Sequence, residues 1–322
     1  MKLPKSVDAT LVIPAYNRAD LIAETIQSAL RQSTPFREVI VVNDGSSDDT
    51  EAVVGSFGSY VTLITTQNQG VQAARNTGVQ ASKTDLVVLL DSDDLLEVDH
   101  LACVGHWMKE GGRADIVYCN FITFDEISEY ADKFSGAPAG FFDGALQDGE
   151  FLYAIPDLYK RSLAYQPLFS SGHIFHKAFY QSIGGYDPKF NRVGAEDWEF
   201  TLRAIALGRV AVCTKPLVRI RKHAGNDSHD AMRMNLGEAD ILDFALVKHP
   251  GADRLATEIL TSIDARRIRA FDAAFALGNF ELAAQLEHKL RNKPTGLKSR
   301  LKHIILNSPT PLRKLLWRAS QS

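Results

Sequence analysis

A run of apolar residues that ends abruptly in carboxylates constrains this chain more than any other feature. Leu86 to Leu90 is apolar throughout, and Asp91, Asp93 and Asp94 follow directly. Such a run, flanked by polar segments, is typical of a buried parallel strand. Ligands bind open α/β sheets outside the carboxyl ends of the strands, and carboxylate oxygens are the ligands that Mg²⁺ and Mn²⁺ prefer. A solvated acidic turn is the plain alternative, because Asp and Ser are common loop residues.

Composition indicates a soluble globular chain that is long enough to bury a core, with 322 residues, 45% hydrophobic and 23% charged. Cys103, Cys119 and Cys213 are widely spaced and odd in number, which argues against a disulfide scaffold or a zinc site and favours a reducing compartment. Residues 1–8 lack the apolar core of a signal peptide, and no apolar run has the length of a membrane span. We therefore expect a cytoplasmic protein.

Strand-like and helix-like segments alternate up to residue 95. Apolar runs at 10–13, 38–42 and 61–64 precede the run at 86–90, and Pro14 is expected to stop the first of them. This alternation predicts βαβ units and therefore an α/β fold, with a mostly parallel central sheet flanked by helices. Polar loops then line one edge of the sheet and build a shared crevice, which suits a nucleotide better than a protein partner.

The pattern is looser after residue 95. Residues 126–163 read as a variable loop region, and a helix is predicted to begin at Glu196. A helix is expected at 101–109 and further strands at 115–121, 209–213 and 217–220. From about Asp230 the chain is predicted to be helical, with a hairpin broken at Gly278 and Asn279.

The charge is unevenly placed along the chain. The net charge is −3, but residues 288–322 contain nine Lys or Arg and no Asp or Glu, so this tail carries +9 and the remainder −12. Within residues 298–318 the basic residues alternate with Leu, Ile and Trp317, the pattern of a basic amphipathic surface helix with an interfacial tryptophan. An anionic membrane surface is the favoured partner; nucleic acid is not expected, because no aromatic-rich basic groove accompanies the charge. Alternatively, the tail is a solvated face that packs through its leucines on the main body.

Four motifs, in this order and spacing, resemble family 2 glycosyltransferases of the GT-A fold. They are VIPAYNR at 12–18, VVNDGSSDDT at 41–50, LDSDD at 90–94 and EDW at 196–198. The resemblance implies a GT-A catalytic domain over residues 1–228, of which it covers roughly 8–228, followed by a helical C-terminal region at 229–322. It also implies an inverting enzyme of bacterial envelope polysaccharide synthesis.

The resemblance assigns a group of residues to the nucleotide donor. They are Pro14, Ala15, Tyr16, Arg18, Asp44, Arg75, Asp91 and Ser92. Tyr16 offers the base a stacking face, and Asp44 accepts an N–H from it, commonly that of uracil, since a carboxylate only accepts. The structural alternatives are a half-buried loop aromatic for Tyr16, a helix cap for Asp44 and a surface helix arginine for Arg75.

Asp91 and Asp93 resemble the first and last acids of the family's DxD metal motif. By that resemblance Asp93 ligates Mn²⁺ or Mg²⁺, while Asp91 faces the ribose or a metal-bound water. His223 resembles the histidine that completes the metal or phosphate site in many relatives, although Ile220 stands where they often carry tyrosine. Asp94 is expected to cap the next helix.

Asp197 resembles the family's general base, with Glu196 and Trp198 on the acceptor side. Transfer needs a carboxylate opposite the leaving nucleotide, to take the proton of the attacking hydroxyl. The alternative is that Glu196 and Asp197 only favour the positive end of a helix. Taken together, the resemblance predicts a metal-dependent, inverting transferase that uses a nucleotide-diphosphate sugar, UDP-linked. The predicted acceptor is a glycan or a lipid-linked molecule at the inner face of the cell membrane.

Two other classes of function stay open. One is a sugar-nucleotide-binding protein that has lost transfer activity, against which intact Asp91, Asp93 and Asp197 count. The other is a sugar-phosphate nucleotidyltransferase, which would need a glycine-rich, basic phosphate loop after the first strand. Residues 14–17, Pro-Ala-Tyr-Asn, do not form one.

Overall fold

The computed structural model describes residues 7–223, 230–291 and 296–321. The chain forms two compact units, Met1–Arg192 with Asp197–Asn226, and Val193–Glu196 with Asp227–Ser322. The boundary predicted between residues 228 and 229 lies outside the described residues. That the first unit is the catalytic domain stays a prediction.

The first unit is built on one mixed sheet. Its strands are β1 (Ala9–Ala15), β2 (Glu38–Asn43), β3 (Thr62–Thr65), β4 (Leu86–Leu89), β5 (Leu95–Leu96), β6 (Ile116–Phe124), β7 (Leu146–Asp148), β8 (Phe151–Tyr153), β9 (Ile174–His176) and β10 (Val210–Arg221). Their order is β3-β2-β1-β4-β9-β6-β10-β8-β7, and β5 pairs with β10.

The four strands that the sequence alternation predicts are parallel neighbours. β6 and β10 are also parallel, but β9 lies between β4 and β6 and is antiparallel to both. The amino end of β9 therefore meets the carboxyl end of β4. This reversal decides which later residues reach the acidic edge.

Helices accompany the sheet along the chain. They are α1 (Ile22–Leu30), α2 (Thr50–Gly55), α3 (Val71–Ala81), α4 (His106–Lys109), α5 (Leu158–Ser162), α6 (Lys177–Ser182) and α7 (Glu196–Leu207). Residues Leu101–Gly105 form a π-helical turn ahead of α4. Core residues alternate along β1, with Leu11 and Ile13 in one apolar cluster and Val12 in another. Both sheet faces are thus covered, which leaves the strand ends for polar loops.

Two predicted strand boundaries are wrong. β1 continues through Pro14, which pairs with Val42, because the missing N–H falls one residue before the end of the strand. The two strands predicted at 209–213 and 217–220 are one strand, β10, whose register against β6 shifts between Cys213 and Val218. A local irregularity lets the strand pass a polar, proline-containing stretch without ending.

The second unit is helical, as predicted. Its helices are α8 (Ala231–Lys248), α9 (Ala256–Ala276), α10 (Phe280–Lys289), α11 (Leu297–Leu306) and α12 (Thr310–Gln321). The break at Gly278 is confirmed, since this residue has a φ of 72° between α9 and α10. None of the helices within the described residues is long and apolar enough to cross a membrane.

Trp317 corrects one expectation about the basic tail. Its indole Nε1 donates to the Phe275 carbonyl at 2.8 Å, and its ring meets Phe280 edge-on. The tryptophan therefore ties α12 to α9 and α10, and it is not the interfacial residue that the sequence pattern predicts. Exposed apolar side chains of the tail lie elsewhere, at Leu297, Leu301, Ile304, Leu312 and Leu315.

Candidate functional site

The loops that follow β1 and β2 are joined by side-chain to backbone hydrogen bonds. The Asn17 amide carbonyl accepts from the Ser47 N–H at 2.8 Å, and the Asn17 N–H donates to Ser46 Oγ at 2.9 Å. The Arg18 N–H donates to Thr50 Oγ1 at 2.8 Å. Two loops that are distant in sequence thus form one wall at the carboxyl edge of the sheet. Pro14 and Ala15 are buried in β1, and Tyr16 follows with 43% of its surface exposed.

Asp44 holds the loop that leads into α3. Its carboxylate accepts from the N–H groups of Gln69 at 2.9 Å and Gly70 at 2.7 Å, and from Thr66 Oγ1 at 3.2 Å. Part of the role of Asp44 is therefore structural, since it holds the loop at residues 66–70 in place. An ionised carboxylate has about four acceptor positions, so one remains beside these three.

Arg75 lies between two of the predicted site acids. Its guanidinium donates to Asp91 Oδ1 at 2.6 Å and lies over the Tyr186 ring at 5.0 Å from the centroid. Asp197, at the start of α7, is close enough for its charge to act on both Arg75 and Asp91. Because Arg75 is buried, a surface-arginine reading does not apply. The structure thus brings together residues from α3, the end of β4 and the start of α7.

Burial raises the pKa of Asp197 above the usual value for aspartate; the nearby Arg75 opposes this rise, and the Asp91 carboxylate adds to it. For Arg75, the Asp91 carboxylate raises the guanidinium pKa against the effect of burial, so the arginine stays charged. A buried carboxyl group beside a fixed cation can exchange a proton while its charged form stays partly compensated.

Asp93 is contacted by two basic side chains. Its Oδ2 lies 3.0 Å from His223 Nε2 and 3.4 Å from Arg18 Nε. The Arg221 Nε–H also donates to the Asp93 carbonyl at 3.0 Å. Ser92, between the acids, is buried, and its carbonyl accepts from Thr25 Oγ1 at 3.0 Å.

Asp94 does not cap the next helix, contrary to the sequence prediction. Its Oδ1 accepts from the Arg221 N–H at 2.9 Å, which joins the acidic loop to the end of β10. Burial raises the pKa of Asp94 well above its ordinary value, and the Asp93 and Asp91 carboxylates raise it further. Asp94 therefore has a structural place behind the two other acids.

A divalent cation fits the donor set at Asp93 and His223. Adjacent ligands of an octahedral Mg²⁺ at 2.0–2.1 Å are about 3 Å apart, and Asp93 Oδ2 and His223 Nε2 have that separation, 3.0 Å. Asp91 faces Arg75 instead. Among the described residues no three acidic, His or Cys groups converge as a cage, so a cation held here needs further oxygen ligands. Such ions commonly take these from substrate phosphates.

Sequence reasoning missed Ser170 and Ser171, which come directly before β9. Ser170 Oγ is 3.4 Å from Arg75 Nη2 and near enough to Asp197 to lower its pKa, while Ser171 Oγ accepts from the Asp91 N–H at 3.2 Å. The signal that points to them is a polar, glycine-containing stretch at the amino end of an antiparallel strand. That signal is only readable once the strand direction is known.

The predicted acceptor-side residues have different surroundings. The Glu196 carboxylate accepts from the Gly194 N–H at 3.2 Å. Trp198 is buried, with 3% of its surface exposed. The acceptor-side role of both residues stays a prediction.

A central α/β sheet with helices around it and acids at the carboxyl edge is the GT-A architecture of glycosyltransferases. Among solved structures, S. aureus TarS 1–349 in complex with UDP-GlcNAc superposes with a TM-score of 0.59 at 18% identity over 97% of this chain and 87% of that one. The mannosyltransferase PcManGT from Pyrobaculum calidifontis, in complex with GDP-Man and Mn²⁺, superposes with a TM-score of 0.56 at 20% identity, over 87% and 79%. These similarities establish the fold.

Sequence comparison finds similarity to glycosyltransferases in two segments of the chain. Residues 10–160 match the family model of Glycosyl transferase family 2, and residues 151–223 match that of the N-terminal domain of galactosyltransferase. The putative glycosyltransferase EpsH of Bacillus subtilis is 28% identical over 164 residues, 48% of this chain and 47% of EpsH. The succinoglycan biosynthesis protein ExoO of Rhizobium meliloti is 42% identical over 101 residues, 31% and 29%.

Residues 10–160 of the chain are thus similar to family 2 of the glycosyltransferases, as the motifs predict. The matched segments span less than half the length of these curated relatives.

Proposed function

We propose that this protein is a metal-dependent, inverting glycosyltransferase. It moves a sugar from a nucleotide-diphosphate donor, UDP-linked, to a hydroxyl group of a glycan or lipid-linked acceptor in envelope polysaccharide synthesis. The observation that carries the proposal is the convergence of Asp91 and Asp197 on the Arg75 guanidinium at the carboxyl edge of the sheet. A second pair of side chains is formed by Asp93, on the loop after β4, and His223, which follows the end of β10.

In this proposal Asp197 is the general base. It accepts the proton of the acceptor hydroxyl as the oxygen attacks the anomeric carbon, on the side opposite the departing nucleotide, and this displacement inverts the anomeric configuration. The burial that raises its pKa brings the carboxylate closer to the operating pH, which favours proton transfer. Arg75 donates to Asp91 Oδ1, and its charge favours the ionised form of Asp197.

The donor nucleotide lies along β1 and β2 in this proposal. Tyr16 is exposed at the end of β1 and offers a stacking face to the base. Asp44 keeps one acceptor position beside its three hydrogen bonds, which suits one N–H of a uracil ring. Arg18 and Ser92 flank the diphosphate side. The TarS complex with UDP-GlcNAc supports a UDP donor for a chain of this fold.

Asp93 and His223 hold Mn²⁺ or Mg²⁺ in this proposal, with Asp91 beside them. When bound, the ion supplies Lewis-acid stabilisation of the charge on the diphosphate leaving group. The PcManGT complex with Mn²⁺ supports the metal, and the name of ExoO supports a polysaccharide product.

The basic tail binds the anionic inner face of a membrane in this proposal. Leu297, Leu301 and Ile304 form an exposed apolar stripe along α11, and Leu312 and Leu315 form another on α12. Lys298, Arg300, Lys314 and Arg318 are exposed on the same two helices. Apolar side chains with flanking cations are what an anionic lipid surface binds. Cosedimentation with anionic vesicles tests this part.

A panel of nucleotide sugars with Mn²⁺ tests the function. Wild type is expected to release free nucleotide by slow hydrolysis of its donor, because water can replace the acceptor. Asp197→Asn is expected to lose this activity by about a hundredfold or more, since general bases contribute roughly 10²–10⁴-fold. The product measured is UDP or GDP, with and without chelator.

Thermal stabilisation separates donor binding from catalysis. Mn²⁺ with UDP is expected to raise the melting temperature of wild type, because only ligands that prefer the folded state do so. Asp93→Ala is expected to lose most of this shift. A binding protein without activity would show the shift but no hydrolysis. A nucleotidyltransferase would instead release pyrophosphate from a nucleoside triphosphate and a sugar phosphate. No shift with any nucleotide would contradict the proposal.

A further inference from the structure

The backbone just before β9 is held by three neighbouring parts of the fold. The Gly172 N–H donates to the Leu89 carbonyl at 2.6 Å, and its own carbonyl accepts from His100 Nε2 at 2.7 Å. Gly172 has a φ of +78°, and a Cβ built there would lie 2.2 Å from Val218 Cγ2. The backbone at 172 is thus held by β4, the turn before residue 101 and β10. Ser170 and Ser171 are carried by this fixed point.

Ser170 connects the arginine of the site to the candidate base. Its Oγ lies 3.4 Å from Arg75 Nη2, which donates to it. Its own hydroxyl hydrogen is then available for a bond to the nearby Asp197 carboxylate, whose pKa the serine lowers. Ser170 is only 2% exposed, so water does not replace this bond readily. Because a guanidinium only donates, Ser170 Oγ accepts from Arg75 and keeps its one hydrogen for Asp197.

Ser171 serves the other two acids. Its Oγ accepts from the Asp91 N–H at 3.2 Å and is near enough to the Asp94 carboxyl group to lower the pKa of that group. Ser171 is 3% exposed. It therefore lies beside both ends of the acidic turn that begins after β4, whereas Ser170 lies beside Arg75 and the candidate base.

We propose that Ser170 and Ser171 are positioning residues with separate tasks: Ser170 orients Asp197 for proton transfer, and Ser171 orients the Asp91–Asp94 turn for donor and metal binding. This inference rests on the proposed function and assigns it two residues that lie outside the four motifs at 12–18, 41–50, 90–94 and 196–198. The tasks are separable because the two side chains share no partner among the described residues.

Substitutions of the two serines are expected to change different kinetic constants of donor hydrolysis. Ser170→Ala is expected to lower kcat roughly tenfold or more, with the donor KM within about twofold, because the hydroxyl between Arg75 and the candidate base is lost while Arg75 keeps its bond to Asp91. Ser171→Ala is expected to raise the donor KM, and the Kd of UDP measured with Mn²⁺ by calorimetry, by about tenfold. The donor is the nucleotide sugar that wild type hydrolyses fastest.

Two control variants make the comparison specific. Ser170→Thr keeps the hydroxyl and is expected to restore most of the kcat. Ser162 is also a buried serine, at the end of α5, and its hydroxyl has no hydrogen-bond partner among the described residues. Ser162→Ala therefore reports the cost of removing a buried hydroxyl alone, and we expect both kinetic constants within about twofold of wild type. Melting temperatures of all variants show whether each is folded.

The outcomes distinguish this inference from the function on which it rests. If wild type hydrolyses its donor and Asp197→Asn does not, but Ser170→Ala behaves like Ser162→Ala, the positioning role is wrong and the function stands. The same holds if both serine variants change kcat and KM alike. A wild type that releases no nucleotide from any nucleotide sugar would overturn both.

Discussion

At the scale of single residues, the charge of Arg75 balances those of Asp91 and Asp197. It is a buried cation that contacts Asp91 and Ser170 and is close to Asp197. Removing one partner from such an arrangement leaves a buried charge without compensation, which costs more than the pair contributes when intact. The site acids therefore depend on one residue that lies in α3, far from either of them in sequence.

The pH dependence of hydrolysis follows from the raised pKa of Asp197. The base form is lost when pH falls through that pKa, so kcat/KM is expected to decline at a pH above the ordinary aspartate value of about 3.9. Rates measured between about pH 4 and 8 test this. A profile that stays flat to the ordinary aspartate value would contradict the assignment.

The raised pKa of Asp197 also affects the stability of the folded protein. This effect has the opposite pH dependence to that of hydrolysis. A carboxyl group with a raised pKa in the folded state binds its proton more tightly there than in the unfolded chain. Between the unfolded and the folded pKa, stability therefore falls as pH rises, and the charged form carries a penalty above that window. Asp197→Asn removes the charge while keeping the shape, so we expect its melting temperature at neutral pH to be unchanged or higher, with hydrolysis lost.

Melting curves of Asp197→Asn and wild type, measured at several pH values between about 4 and 8, check this expectation. Any stabilisation by the substitution should be larger at the higher pH. A variant that is strongly destabilised at pH 8 would show that the carboxylate is needed for folding.

At the scale of elements, the antiparallel β9 determines how the site is completed. Its amino end lies at the carboxyl end of β4, and the Gly172 backbone bonds to Leu89 there. Since Gly172 has a left-handed φ and little space for a Cβ, two separate terms disfavour any other residue.

A comparison of Gly172→Ala with Gly149→Ala separates the cost of the backbone conformation from the cost of the contact with Val218. Gly149 also has a positive φ, +56°, but a Cβ there would meet nothing within 4 Å. Gly149→Ala is therefore expected to cost roughly 1–2 kcal/mol, for the backbone conformation alone. Gly172→Ala is expected to cost a further 1–3 kcal/mol, roughly, for the contact with Val218.

Urea unfolding at equal m-values measures both variants. Equal losses would show that Val218 moves aside without cost. The m-value is the control, because a change in it would indicate an altered unfolded state or a lost two-state transition.

At the scale of the whole molecule, charge and apolar exposure are both concentrated in the tail. Residues 288–322 carry +9 against −12 in the remainder. Within this region Leu297 is 85% exposed, Ile304 58% and Leu315 66%. Binding to an anionic surface would then have two components, one electrostatic and one apolar, which respond differently to salt.

Cosedimentation with vesicles of phosphatidylglycerol and phosphatidylcholine tests both components. Raising the salt from about 0.05 M to about 0.5 M is expected to weaken binding strongly, because it screens exposed charges. The double substitution Leu301→Gln and Ile304→Gln is expected to weaken binding at low salt as well. Leu207→Gln changes an exposed leucine of the first unit and serves as the matched control. Equal binding to neutral vesicles would contradict an anionic surface as the partner.

The outcome for Trp317 shows where a pattern in the sequence is not sufficient. Leucines, basic residues and a tryptophan at helical spacing predict an amphipathic helix, and α11 and α12 are helices. The spacing cannot say which apolar residues face the unit's own core. Ile305, Leu306, Leu316 and Trp317 pack with that core, whereas Leu301 and Ile304 do not.

The sequence by itself determined the parallel strands β1 to β4 and the acids at their ends. It could do so because each strand is a local apolar run, and parallel strands necessarily bring their carboxyl ends to one edge. The family motifs lie on the same local segments. The helical second unit was predictable for the same reason, since helical spacing is local.

Only the tertiary structure decided which groups meet these acids. Arg75 and Ser170 are 95 residues apart, and Asp91 and Ser171 are 80 apart. Those contacts exist because β9 enters the sheet antiparallel between β4 and β6. No local pattern records the direction of a strand, since the side-chain alternation of a strand is the same in both directions. The packing of distant segments therefore fixed the partners of Asp91 and Asp197.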